Sequence, residues 1–351
     1  MTSVDAWDAS PPPAPIHPVG GTGLALPLNL GLPVRGNVAV AVTAEDLGFD
    51  RVWAAEAGNN DAFGLLTAVA MATRRIGLAT GVLPIYTRTP ALMAQSAATL
   101  QDVSDGRFTL GLGVSSETIV RRWNGIQYDA PLARIREYVE VVTELLSGEK
   151  VSRTGGYYPV EGYRLLLHVP SPPPPVMVGA LNERMLRAAG EVAAGALLNW
   201  IAADAVKEAV RIVREAAQEA GHPADGATAV FVRVCVTDDV EAARRWARRE
   251  LMGYVIVPAY RTAFIRQGFD VVCATAMEHW AAGDRKSAAA SLPDSFVDAL
   301  CLAGSAADVR ARFEAFRAAG VDEPVAFLFS GQTEPDRVTA ELQATAQALA
   351  P

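Results

Sequence analysis

Several residue types that build other kinds of site are scarce in this chain. Its 351 residues include only three cysteines, Cys235, Cys273 and Cys301, odd in number and far apart. That excludes a disulfide framework and a zinc site of closely spaced thiols, and fits unpaired thiols in a reducing cytoplasm. The four histidines, His17, His168, His222 and His279, are just as scattered, so no metal is expected. A basic excess is missing too. The formal net charge is −8, which argues against nucleic acid as a partner, because phosphate binding needs a basic face. No apolar run approaches the roughly 18 residues that would suggest a membrane span, so no membrane partner is expected. The first residues lack a basic segment, and SPPPAPIHP interrupts any apolar stretch. Residues 1–19 therefore read as a disordered proline-rich tail, not as a signal peptide.

What is present is apolar and alternating. Half of the residues are hydrophobic, enough for one large core over residues 20–351. The clearest stretch runs from Ile76 to Gly113. Two short apolar runs, Ile76–Val82, with Gly81 near its end, and Phe108–Leu112, followed by Gly113, read as buried parallel strands. Between them, Thr89 to Val103 has helical spacing, Pro90 at its start and a stop in Ser104-Asp105-Gly106. Strand, helix, strand is one crossover unit. The same alternation recurs, with strands expected at Thr22–Leu28, Arg51–Ala55, Val176–Val178, Ala196–Leu198, Thr228–Val236 and Val325–Phe329. Val151–Leu167 reads as a β-hairpin insertion and Ser171 to Pro175 as a rigid connector. Pro258 to Ala303 reads as an extra segment of short helices. Eight strands, each followed by helical sequence, predict an α/β fold closed as a (β/α)8 TIM barrel.

In such a barrel the chemistry sits where the strands end. The candidates are Asn29, Glu56 to Asn60, Gly81 to Arg88, Gly113 to Glu117, Gly179 to Asn182, and Asn199-Trp200. Gly113-Val114-Ser115 and Gly179-Ala180 bring backbone N–H groups within reach of a phosphate. The same stretches serve equally as ordinary helix caps through Ser115 or Asn182. Glu56, Asn59 and Asn60 read either as site residues or as loop caps, and Trp200 as pocket lining or as packing. Trp53 lies inside a strand pattern and reads as core. Arg88 is either a positioning cation or a surface one.

Three segments carry a further resemblance: LGFDRVWAAEA, RTPALMAQSAATLQDVSDGRFTLGLG and VGALNERMLRAAGEVAAGALLN. In this order they resemble the luciferase-like flavin and deazaflavin oxidoreductases, from about Leu24 to Leu328. The resemblance implies a cofactor whose phosphate is held by the loops after the fourth and fifth strands. It also implies a bulge at the end of the third strand, with a non-proline cis peptide at Gly81–Val82 behind the ring. It implies an acidic residue at Glu56, although the histidine that often follows is Ala57 here. Asn59 and Asn60 would bond the ring edge, and Glu117 would stand where a proton donor can. GVLPIYTRTPALMAQSAATLQ and the Asn59-Asn60 pair look closest to the coenzyme F420-dependent branch, which implies hydride transfer to or from a small organic substrate. An FMNH2-dependent monooxygenase and a barrel that binds without catalysis are the alternatives. Relatives usually pair as homodimers, and Ala91, Met93, Ala94, Ala97 and Ala98 form a small-residue face that could pack against a second copy.

Overall fold

The strands are apolar on both faces, as a sheet covered by helices outside and filled by side chains inside requires. The computed structural model describes residues 19–167, 171–222 and 226–351, apart from the Asn29 side chain. The expected tail up to residue 18, with His17, and His168 lie outside the described residues, as does what was expected of the Asn29 side chain. Val19, expected to belong to that tail, is buried instead, in the cluster that fills the barrel.

Eight strands form the barrel: β1 (Gly23–Ala25), β2 (Arg51–Ala54), β3 (Gly77–Thr80), β4 (Phe108–Gly113), β5 (Val176–Gly179), β6 (Gly195–Asn199), β7 (Ala227–Val236) and β8 (Glu323–Leu328). Each is parallel to its neighbours, β8 returns to β1 through Gly23 opposite Val325, and the β6–β7 pairing closes the ring. Alternation then sorts the side chains. Trp53, Ala79, Leu197, Phe231 and Val325 point inward, whereas Val52, Leu78, Leu198, Val230 and Ala326 face the helices. Each fully buried Val, Leu or Phe contributes roughly 1.5–3 kcal/mol.

Local chemistry starts the crossover helices where the site needs them. Asp61 accepts from the Gly64 N–H at 2.6 Å and begins Ala62–Ala72. Thr89 accepts from Leu92 N–H at 3.3 Å and precedes Pro90–Val103. Asn182 accepts from Met185 N–H at 3.1 Å and begins Glu183–Val192. The hairpin insertion is present as Val151–Arg153 paired antiparallel with Val160–Tyr163. The extra helices are present as Pro258–Arg266, Asp270–Ala281, Arg285–Ala290 and Asp294–Leu300.

The structure corrects three further expectations. β1 spans only Gly23–Ala25, because the chain turns at Leu28–Leu30 into a short 3-10 helix. The helix that follows begins at Val34, since Pro33 precedes it in extended conformation. Cys301–Gly304, expected to lie in the helical segment, is a ninth strand that pairs with Arg233–Val236 at the C-terminal end of β7. It continues the edge that β6 leaves, because β6 pairs only as far as Phe231 and the other edge of β7 is taken by β8. Finally, Met93, Ala94, Ala97 and Ala98 are fully buried in the core. They let the helix approach the barrel, so this face is not open to a second copy.

The closed end of the barrel holds a buried ion pair. Arg51 of β2 and Glu323 of β8 meet beneath Trp53, whose Nε1–H donates to Glu323 at 2.7 Å. β1 runs between them, and a Cβ on Gly23 would lie 2.6 Å from the Glu323 carboxylate. Burial pushes the Glu323 carboxyl pKa upward, and the Arg51 cation opposes that shift.

Candidate active site

At the open end, β3 and β4 set the geometry. Leu78 and Ala79 pair with Phe108 and Thr109, and pairing resumes with Leu83 opposite Leu112. β3 uses one residue more than β4 over this interval, which is a bulge. The Gly81–Val82 peptide within it is cis, as the resemblance implied. Thr80 fills the gap: its hydroxyl accepts from Gly111 N–H at 2.8 Å and donates to Gly111 O at 3.0 Å.

Glycine at three strand ends makes this packing possible. A Cβ on Gly81 would come within 2.6 Å of Phe231 and 3.0 Å of Trp53. A Cβ on Gly113 would lie 2.5 Å from one Val82 methyl, and one on Gly179 would lie 3.1 Å from the other. Val82 is therefore seated between the ends of β4 and β5. The five residues Gly81, Val82, Gly113, Gly179 and Phe231 thus come together, the first four being candidates from the sequence. Phe231 was not expected there; its place in an alternating strand was the only signal.

Beyond Gly113 the chain turns through Ser115, a left-handed residue with φ of 59°. Among the described residues, no hydrogen bond occupies the N–H groups of Ser115, Ser116 or Glu117. Such a run of free amides is a concave anion site. The donor chemistry therefore fits a cofactor phosphate here. The β5 loop differs from expectation: the Ala180 N–H donates to Leu197 O at 3.0 Å and is not available. Val114 is half-buried and packs on the main core.

Glu56 and Arg88 meet in a two-pronged pair, at 2.6 Å and 3.0 Å. Glu56 also accepts from Ala62 N–H at 3.0 Å, and Arg88 reaches Asp61 at 2.6 Å. The hydrogen bond from Arg88 to Glu56 raises the Arg88 pKa, against the desolvation that would lower it. Tyr138 donates to Arg88 O at 3.0 Å. Arg88, left open in the sequence as a surface or a positioning cation, is half-buried and ties the loops after β2 and β3 through Glu56 and Asp61. Asn59 is exposed and accepts from Ala57 N–H at 3.1 Å, while Asn60 is half-buried beside it. Glu117 is exposed and pairs with Arg121 at 2.8 Å.

β6 and β7 supply a group that the sequence did not single out. Arg233 is 2% exposed and lies one inward position beyond Phe231. Its guanidinium carbon stands 3.8 Å from the Trp200 ring centre and 4.4 Å from that of Phe327. It donates to Asn199 Oδ1, and Asn199 Nδ2 donates to Tyr260 Oη at 3.1 Å. Burial pushes the Tyr260 phenol up to about 12. Trp200 is fully buried against the extra helices, with φ of 56°. A separate cleft of about 280 Å³ lies outside the bulge, lined by Tyr86, Arg88, Pro90, Gln127, Arg134 and Tyr158. Among the described residues no group of three or more His, Cys, Asp or Glu side chains is placed to hold a metal. No described helix is long and apolar enough to cross a membrane.

The chain is similar to several known proteins over most of its length. The chain is 30% identical over 290 residues to a 5,10-methylenetetrahydromethanopterin reductase of Archaeoglobus fulgidus, covering 81% of this chain and 86% of that protein. It is 31% identical over 299 residues to the reductase of the same name from Methanolobus tindarius, covering 84% and 90%. Among solved structures, the coenzyme F420-dependent tetrahydromethanopterin reductase of Methanopyrus kandleri superposes with a TM-score of 0.76 at 25% identity, covering 93% of this chain and 97% of that one. The model of the luciferase-like monooxygenase family matches residues 16–323, so the chain belongs to the luciferase-like monooxygenase family.

Proposed function

We propose that this protein is a coenzyme F420-dependent oxidoreductase that passes a hydride between the deazaflavin and a small organic substrate. The observation that carries the reading is the loop after β4. Three unspent amides follow Gly113 there, beside the packed Gly81–Val82 bulge. The likeness to the F420-dependent Methanopyrus kandleri reductase supports the same cofactor. In this reading the Ser115–Glu117 amides bind the cofactor phosphate. Gly81 and Val82 back its ring, and Asn59 and Asn60 bond the ring edge. The cofactor supplies the hydride chemistry when bound, and the protein orients the reacting carbons and excludes water.

Glu117 is the carboxylate to which we assign the proton, because its side chain reaches solvent and holds only one exposed partner. Glu56 spends both oxygens on Arg88 and Ala62, and is assigned a positioning role. The test is equilibrium binding of F420 and FMN to the purified protein. F420 is expected to bind at least tenfold more tightly, about 1.4 kcal/mol. Equal or reversed affinities would favour the FMNH2-dependent monooxygenase instead, and no binding of either would favour a non-catalytic barrel. Glu117→Gln is expected to leave F420 affinity unchanged while slowing turnover; unchanged turnover would remove Glu117 from the proton path.

We further place the protein in the cytoplasm, as a homodimer. With the alanine face buried, the available apolar groups on the helices after β2 and β3 are Met71 and Leu92, both exposed. Light scattering at micromolar concentration is expected to give twice the chain mass; a monomer would refute the pairing.

A further inference from the structure

We infer that Arg233 is the receptor for a carboxylate on the substrate, so that this enzyme acts on an organic acid. The inference rests on the preceding reading only in taking the open end of the barrel as the catalytic site. Arg233 lies on β7 one inward position past Phe231, and Phe231 touches the space over Gly81. The guanidinium therefore stands in the layer just beyond the bulge. It is clamped between the Trp200 and Phe327 rings. Its only hydrogen bonds to described residues leave from Nη1, to Asn199 Oδ1 and weakly to Phe231 O at 3.5 Å.

Two further facts make this cluster a receptor and not a satisfied core pair. First, among the described residues Arg233 has no ion-pair partner, although it is almost fully buried. A buried cation without a counter-charge is costly, and ring stacking attracts the cation without satisfying its N–H groups. Second, the Arg233 Nε and Trp200 Nε1 are both buried with no hydrogen-bond partner. Tyr260 Oη receives its bond from Asn199, so its own hydrogen remains to be donated. The cluster thus holds donors in excess and lacks an acceptor of matching charge. A carboxylate is planar and acceptor-only, and its two oxygens suit a guanidinium held flat. A neutral ketone or alcohol would leave the cation uncompensated.

The experiment uses the full chain and three probes of one shape: benzoate, phenyl phosphate and benzamide. Calorimetric titration of each is carried out with the wild type and with Arg233→Gln, in the absence and presence of saturating F420. F420 affinity is followed separately by its own fluorescence. The inference expects saturable benzoate binding to the wild type, weakened at least tenfold in Arg233→Gln. It expects partial recovery in Arg233→Lys, weaker phenyl phosphate binding and no benzamide binding. Unchanged circular dichroism and F420 affinity in the variants keep the fold and the cofactor site out of the comparison. Absence of benzoate binding to the wild type, equal binding to Arg233→Gln, or tighter binding of phenyl phosphate overturns it. So does a loss confined to F420 affinity, which would make the cofactor the anion. Failure of F420 to bind the wild type would strike the cofactor reading alone, because the benzoate titration without cofactor still reports on Arg233.

Discussion

Glu323 shows how far one residue can reach in this barrel. It lies at the N-terminal end of β8, yet it holds Arg51 of β2, Trp53 Nε1–H and the Gly20 N–H, the last at 3.1 Å. Glu323 itself has zero exposure. Removing one member of a buried pair leaves the other charge in a medium that solvates it poorly. Glu323→Gln keeps the volume and deletes the charge, and is expected to lower unfolding stability by about 3 kcal/mol or more. Urea denaturation reads this directly, and a loss under about 1 kcal/mol would mean that the pair is not energetically coupled. Gly23 explains why the arrangement needs its glycine, since a methyl there would meet both Glu323 and Trp53. None of this was legible beforehand. Asp322-Glu323-Pro324 looks like a turn, and only closure of the ring brings residue 323 beside residue 51. Arg233 was hidden for the same reason: a single cation in an apolar strand has no local signature. Trp53, in contrast, was readable as core from its strand pattern alone.

Elements were more legible than residues, and the exceptions are short. β3, β4 and the helix between them carry period, start and stop signals within one stretch, so their limits came out nearly as read. Cys301–Gly304 has four residues and no alternation, and pairs only because β7 outruns β6. One device at this scale joins two elements. Glu45, in the helix Val34–Asp46, accepts from the N–H groups of Arg74, Arg75 and Ile76 at 3.0, 2.6 and 2.8 Å, and so caps the entry to β3. Burial alone would raise its pKa, but these three backbone donors outweigh it and hold the carboxyl below its usual range. A carboxyl with a depressed folded value adds stability above its unfolded pKa, and that stability fades as pH falls through the folded one. Glu45→Gln is therefore expected to lower Tm at pH 7. The gap to the wild type should close as pH drops below about 4.3, the unperturbed glutamate value. A gap that persists undiminished at pH 3 would show that the charge contributes nothing.

At the scale of the whole molecule, the barrel could be foreseen because alternation is a global pattern that survives errors in single limits. What alternation does not announce is how the last strands are locked. The helix Pro335–Leu349 performs that task by contacts across more than a hundred residues of chain. Thr345 Oγ1 accepts from the Val236 N–H at 2.8 Å, at the end of β7. Glu341 accepts from the Thr237 hydroxyl at 2.6 Å and from Gln332 Nε2 at 3.1 Å, and also from Ser330 just past β8. Burial raises the Cys235 thiol pKa beside it. The helix also brings Ala346 and Leu349 into the main core. Without it, the Val236 N–H and the Thr237 and Ser330 hydroxyls lose their acceptors, at about 1–3 kcal/mol for each group that stays buried. A chain ending at Glu334 is expected to lose several kcal/mol of unfolding stability. Hydrogen exchange should quicken first in β7 and β8, because those strands lose the cover, while β2 to β4 keep theirs. Uniform loss of protection around the ring would mean instead that the barrel opens as one cooperative unit, with the terminal helix as one contributor among many.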